Sequence, residues 1–165
     1  MSRPAPRAAV LSISTTRASG SGTDDLGGAE LARYAEGLGA ELVGRELIAD
    51  DRAGIEGRLR HFCDAVLCDL VLTTGGTGFA PDDLTPEATL AVGEREAPGL
   101  AEAIRLASRE HTPHWMLARN RAVIRGRTLI VNFPGSPKAI AEAGGAIAEA
   151  LPHALRLLAG EGGGH

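Results

Sequence analysis

Residues 73–78 read TTGGTG, directly after the apolar run Leu70-Val71-Leu72. Glycine tolerates positive φ and lets a backbone approach a ligand closely, so a strand that runs into such a loop presents bare N–H groups to an anion. Thr73, Thr74 and Thr77 add hydroxyls able to donate to phosphate oxygens. Two readings stand at this point, a tight strand-to-helix turn that needs positive φ and a phosphate cradle. The loop is not a Walker A motif, because no Gly-Lys-Ser/Thr follows. Nor is it a dinucleotide fingerprint, because GGTGFA lacks the third glycine.

Carboxylates follow at once in PDDLTPEAT (81–89). Asp82 and Asp83 beside an anion site repel the ligand unless a divalent cation lies between, which suggests Mg²⁺ held jointly by Asp83 and phosphate oxygens. The plainer alternative makes both of them turn residues ahead of a capped helix. FPGSPK (133–138) is a second stiffened loop, leading into a helix N-terminus with Lys138 in its first turn. A cation there opposes the helix dipole and asks for a compensating anion, which an ATP phosphate would supply. All seventeen basic residues but Lys138 are Arg, so this lysine stands out. Asp50 and Asp51 form a third carboxylate pair, at a strand-to-helix turn where one can cap the helix. Gly20-Ser21-Gly22 imitates a nucleotide-binding unit only poorly, and His111 and His114 have no Cys or Asp beside them to complete a metal site.

These loops need elements to position them. Strands are expected at Ala8–Ile13, Glu41–Ile48, Leu70–Thr74 and Thr128–Phe133, as apolar runs suited to burial on both faces. Between them, Leu31, Tyr34, Ala35 and Leu38 recur at helical spacing and Gly39 ends that helix. Ile55, Leu59, Phe62 and Cys63 share one face of the next, which Asp50 or Asp51 caps. Thr85-Pro86-Glu87 looks like an N-cap followed by Pro at the first helical position. Leu100, Ala103, Ile104 and Ala107 mark another helix. Ser136 or Pro137 opens an Ala-rich helix to about Ala150, and Pro152 starts a last one that ends near Gly160. The alternation predicts a layered α/β fold with parallel strand pairing and right-handed crossovers. Ligands then gather at the carboxyl edge of the strands. One domain is expected over 8–160, with 1–7 and 161–165 disordered.

Bulk composition narrows the partners. A net charge of −4 and a pI near 5.7 argue against a nucleic-acid or anionic-membrane footprint and favour a small ligand. With 3% aromatics the core must come from Ala, Val, Leu and Ile. Cys63 and Cys68 have no second pair to complete a zinc site and are expected as buried, reduced thiols. No run approaches a membrane span, which points to a cytoplasmic protein.

From Val10 to Gly160 the chain resembles the molybdenum cofactor biosynthesis family of Mog and MoaB type, the molybdopterin adenylyltransferases. The carrying stretches are LVLTTGGTGFAPDDLTPEAT, REAPGLAEAIR, the Ser108–Pro113 segment and TLIVNFPGSPKAI. The resemblance implies the molybdopterin-binding fold, a three-layer α/β/α sandwich with a mostly parallel sheet, together with a homotrimer and adenylylation of molybdopterin by Mg-ATP with release of pyrophosphate. By motif it gives Asp50 and Asp83 the catalytic acidic positions and Asp83 the metal. It assigns Thr74, Gly75, Gly76, Thr77 and Gly78 to nucleotide or molybdopterin, Pro134, Gly135, Ser136 and Lys138 to the opposing ligand wall, and Ser108 to the neighbourhood of the pterin. A molybdenum insertase is a possible partner.

Three positions depart from the family pattern. Thr15 stands where the family usually has Asp after Ser14, Asp82 where it usually has Arg, and Ala118 where it usually has Ser. An Asp in place of an Arg exchanges attraction for repulsion beside polyanionic ligands. A non-catalytic paralogue that binds pterin or nucleotide and stores or hands on the cofactor is therefore the competing reading. A detached domain similar to the homologous part of the insertase is the third.

Overall fold

Alternate residues of the central strands feed two separate cores, and that division sets the layers. The computed structural model of the chain describes residues 2–20 and 24–162. Six strands, β1 (Arg7–Ile13), β2 (Glu41–Ile48), β3 (Leu70–Thr74), β4 (Arg95–Glu96), β5 (Ala122–Arg125) and β6 (Thr128–Phe133), form one sheet in the order β2-β1-β3-β6-β5-β4. Ala8, Val10, Leu70, Leu72, Leu129, Val131 and Phe133 face one core. Ala9, Leu11, Ile13, Val71 and Ile130 face the other. Burial on both faces is why these strands are continuous apolar runs with no polar alternation.

The helices divide accordingly. On the first face lie α2 (Leu26–Gly37), α5 (Pro98–Ser108), α6 (Pro137–Ile147) and α7 (Ala150–Leu158), through Leu31, Ala35, Ile104, Ile140, Ile147 and Leu151. On the second lie α3 (Arg52–Arg60), its π-helical continuation His61–Ala65, and α4 (Thr85–Val92), through Ile55, Leu59, Phe62, Ala88 and Val92. The short α1 (Thr15–Ala18) sits directly after β1. The result is the three-layer α/β/α sandwich expected. Tyr34 ties α2 to α6, its hydroxyl donating to Gly144 O at 2.8 Å and its ring tilted on Phe133.

The pairings of β1 with β2 and β3, and of β3 with β6, are parallel. Those of β5 with β6 and of β4 with β5 are antiparallel. Neither β4 nor β5 was expected. Both are short, and β5 returns through a tight turn at Gly126 (φ 58°) that has no crossover helix to announce it. The parallel part places the ends of β1, β2, β3 and β6 on one edge. Chain order reverses at β1, whose neighbours β2 and β3 lie on either side of it. The helices that follow β1 and β3 go to opposite faces, so a crevice opens between those two strand ends.

Other differences lie at the element ends. β1 begins at Arg7, inside the stretch expected to be disordered, and Arg3 pairs with Glu161 at 3.3 Å, so the two ends meet. Met1 and residues 163–165, which share that expectation, and Ser21-Gly22 of the first loop lie outside the described residues. Asp51 alone caps α3, accepting from Gly54 N at 2.8 Å. The N-cap of α4 is Leu84, so Thr85 is helical and its hydroxyl is directed elsewhere. The last helix starts at Ala150, and Pro152 sits within its first turn, where no intrahelical donor is lost. Cys63 and Cys68 are buried and unpaired, as expected, and burial pushes both thiols up to about 11. Among the described residues no helix is long and apolar enough to cross a membrane.

Candidate functional site at the carboxyl edge

The glycine loop leaves β3 with two residues in the left-handed region, Gly75 (φ 94°) and Gly76 (φ 66°). A Cβ on Gly75 would strike the carbonyl of Ile13, so the loop lies against the end of β1. Only glycine meets both conditions. Thr85 fastens the loop from α4, its hydroxyl donating to Gly75 O at 3.0 Å and its N–H to Gly76 O at 3.1 Å.

The FPGSPK loop is joined to it. Thr74 Oγ1 donates to Pro134 O at 2.7 Å, and a Cβ on Gly135 would meet Gly75 Cα at 3.9 Å. Ser136 caps α6, accepting from Ala139 N at 3.2 Å, with Pro137 as its first residue. The N-terminus of α2 closes the group. Asp25 caps it through Gly28 N at 3.0 Å and accepts from Ser12 Oγ at 2.8 Å, while a Cβ on Gly27 would come within 2.8 Å of Gly135 O. Two helix N-termini thus converge on the loop.

Asp50 and Asp51 divide their labour. With Asp51 committed to the cap, Asp50 turns to Thr15, whose N–H and hydroxyl donate to Asp50 Oδ2 at 2.9 and 3.0 Å. The N–H of Asp50 returns a bond to Thr15 Oγ1 at 3.0 Å. The other oxygen, Oδ1, faces the glycine loop, 3.2 Å from where a Gly76 Cβ would be. The Thr15 departure therefore leaves a residue that orients the carboxylate and adds no charge of its own.

Asp83 lies at the far end of the loop, accepting from Ala80 N at 3.0 Å and close against Gly78. Between Gly78 and Asp83 reaches Arg119. Its Nε donates to Gly78 O at 2.8 Å and one terminal nitrogen to Asp83 O at 2.6 Å. Another terminal nitrogen pairs with Glu87 on α4, and its backbone N–H donates to Thr77 O at 2.9 Å. Hydrogen bonding to Arg119 holds the Glu87 carboxyl below the usual carboxylate range. Arg119 is thus engaged as a clamp on the loop, whereas Asp82 is exposed.

Not every threonine is free for a ligand. Thr73 is buried and accepts from Asn132 Nδ2 at 3.0 Å, and Thr74 is held by Pro134, so neither hydroxyl is the phosphate donor expected. Thr74 connects the two loops instead. Thr77 is half-buried, and its hydroxyl has no protein partner among the described residues. Asn132 itself is buried, bonds Thr89 at 2.9 Å and accepts from Arg121 N at 3.0 Å, which fixes the β6 end in the sheet. Lys138 is exposed, with no ion-pair partner among the described residues. Ser108 stands apart at the end of α5, donating to Ile104 O at 3.3 Å, and no hydrogen bond joins it to either loop.

Among the described residues no group of three or more His, Cys, Asp or Glu could hold a metal ion. What the edge offers is the carboxylates of Asp50 and Asp83 against the glycine loop, oxygen donors that suit Mg²⁺ when phosphate oxygens complete its shell. No sign in the local sequence paired Thr15 with Asp50, Arg119 with Glu87 or Ser12 with Asp25. The hydroxyl in the apolar run AAVLSI and the Asn in TLIVNF were the available signals of polar contacts beneath the site.

The sequence model described as a probable molybdopterin binding domain matches residues 9–153. The molybdopterin adenylyltransferase of Helicobacter pylori strain J99 is 45% identical over 115 residues, 70% of this chain and 65% of that protein. That of Escherichia coli strain K12 is 51% identical over 96 residues, 58% of this chain and 49% of that protein. The chain thus spans between about half and two thirds of the length of these curated relatives. The solved structure of the molybdopterin biosynthesis enzyme MoaB from Thermus thermophilus is similar at a TM-score of 0.88 and 42% identity, over 94% of this chain and 97% of that one. With its fold, its glycine loop and its matched length in agreement, the chain belongs to the family of probable molybdopterin binding domains.

Proposed function

We propose that the chain is an Mg-ATP-dependent molybdopterin adenylyltransferase acting in molybdenum cofactor biosynthesis. An oxygen of the terminal phosphate of molybdopterin attacks the α-phosphorus of ATP. The new P–O bond forms as the bond to the β-phosphate bridging oxygen breaks, giving adenylylated molybdopterin and pyrophosphate. The observation that carries this reading is the Asp50 carboxylate, pinned at one oxygen by Thr15 and open at the other toward Gly76.

The chain's own part is positioning and charge placement, which is most of what phosphoryl-type transfer requires. Gly75, Gly76, Thr77 and Gly78 offer backbone N–H groups, and the Thr77 hydroxyl, to phosphate. Pro134, Gly135 and Ser136 form the opposing wall, with Thr74 fixing its distance and Lys138 supplying a positive charge. Ser108 contacts the pterin. Mg²⁺, when bound by Asp83 with Asp50 and nucleotide phosphate oxygens, would offset phosphate charge. The protein works in the cytoplasm as a homotrimer and passes its product to a molybdenum insertase.

Purified protein supplied with molybdopterin, ATP and Mg²⁺ is expected to form adenylylated molybdopterin and pyrophosphate in equal amounts. Asp50→Ala and Asp83→Ala should each lower the rate by about 10²-fold, the scale of losing one electrostatic contact to the reacting group. Tight binding of both substrates with no pyrophosphate would reject the transferase and leave the storage protein.

A further inference from the structure

Three arginines line a cavity of about 260 Å³ beside the loop clamp: Arg105 from α5, and Arg119 and Arg121 from the segment before β5, with Glu87 among the other residues of its wall. Two of the three have carboxylate partners, Arg119 with Glu87 and Arg121 with Glu96 at 3.4 Å. Arg105 has none among the described residues. It is half-buried, and one of its terminal nitrogens is held by Asn120, through the carbonyl at 3.0 Å and Oδ1 at 3.3 Å. A guanidinium kept in place, partly removed from water and without a counterion, is costly alone and suited to a bidentate oxyanion.

We propose that this cavity binds a small, multiply charged oxyanion of the phosphate class, with Arg105 and Arg121 as its principal contacts. Because Arg119 lines the same cavity and holds the carbonyls of Gly78 and Asp83, an anion here touches the side chain that fixes the glycine loop. The site does not depend on adenylyl transfer, and its test is one of binding.

Calorimetric titration of the full chain with pyrophosphate, inorganic phosphate and AMP, without Mg²⁺, provides that test. Pyrophosphate or phosphate should bind, and R105Q and R121Q should each weaken binding about tenfold, the scale of one charged hydrogen bond. Lys138→Ala should weaken only uptake at the glycine-loop site and leave the arginine-dependent binding step in place. R121Q keeps the hold of Arg105 on Asn120, so it remains informative if R105Q unfolds. Uptake of AMP in place of the free anions, lost in the arginine variants, supports the same cavity with a nucleotide phosphate as the source. No uptake of any of the three, or uptake lost in Lys138→Ala and kept in both arginine variants, overturns the proposal.

Discussion

Thr74 Oγ1 donates to the carbonyl of Pro134 at 2.7 Å, joining across 60 positions of sequence the loop that leaves β3 to the loop that leaves β6. One buried hydroxyl therefore ties the two walls of the site together. Thr74→Val keeps the shape and removes the donor, leaving the Pro134 carbonyl unsatisfied at a cost of about 1–3 kcal/mol. Urea denaturation should show that loss, and KM for both substrates should rise as the walls separate.

Gly75 and Gly57 should respond in opposite directions to the same substitution. At Gly75 a methyl group meets the Ile13 carbonyl and the backbone stands at φ 94°. Gly75→Ala should lower stability by about 1–3 kcal/mol from the backbone strain alone. Gly57, exposed within α3 with nothing within 4 Å of an added Cβ, should gain about 0.5–1 kcal/mol as Ala. Paired thermal melts would check both.

The Arg119–Glu87 clamp makes the glycine loop sensitive to acid. Arg119 holds the Glu87 pKa below its ordinary 4.5, so the pair contributes stability in full above that value. The contribution disappears as pH falls through the lowered folded-state pKa. Melting temperature against pH should therefore fall more steeply below 4.5 in the wild type than in Glu87→Gln. Parallel curves would show that the clamp adds nothing.

Cys63 and Cys68 should be inert in the native state, because burial pushes both thiols up to about 11 and leaves little thiolate at neutral pH. A disulfide reagent should label neither quickly in folded protein and both once it is unfolded. Rapid native labelling would mean that the second core opens near the end of β5.

What could be read in advance was whatever lies close together in sequence. The strands at Ala8–Ile13, Leu70–Thr74 and Thr128–Phe133 declare themselves as apolar runs because helices cover both of their faces. The loops declare themselves by glycine and proline. β5 and the two-residue β4 lie at the sheet margin, too short to show a period, and Gly126 in RGRT was the single hint of a hairpin. Asp50 and Asp51 are equivalent in sequence and become distinct only when α3 takes one as its cap. The Arg119 side chain holds partners 32 to 41 positions away, a relationship that local spacing cannot reveal. Nothing near Thr73 and Thr74 in sequence shows that their hydroxyls are committed, because their internal partners, 59 and 60 positions away, come from the far strand and loop.

The most direct test is a crystal structure of the chain with a non-hydrolysable ATP analogue and Mg²⁺. The expected result is the α-phosphate against the N–H groups of residues 75–78, with Asp50 and Asp83 on either side. Nucleotide bound away from that edge, or phosphates held there with neither carboxylate nearby, would contradict it.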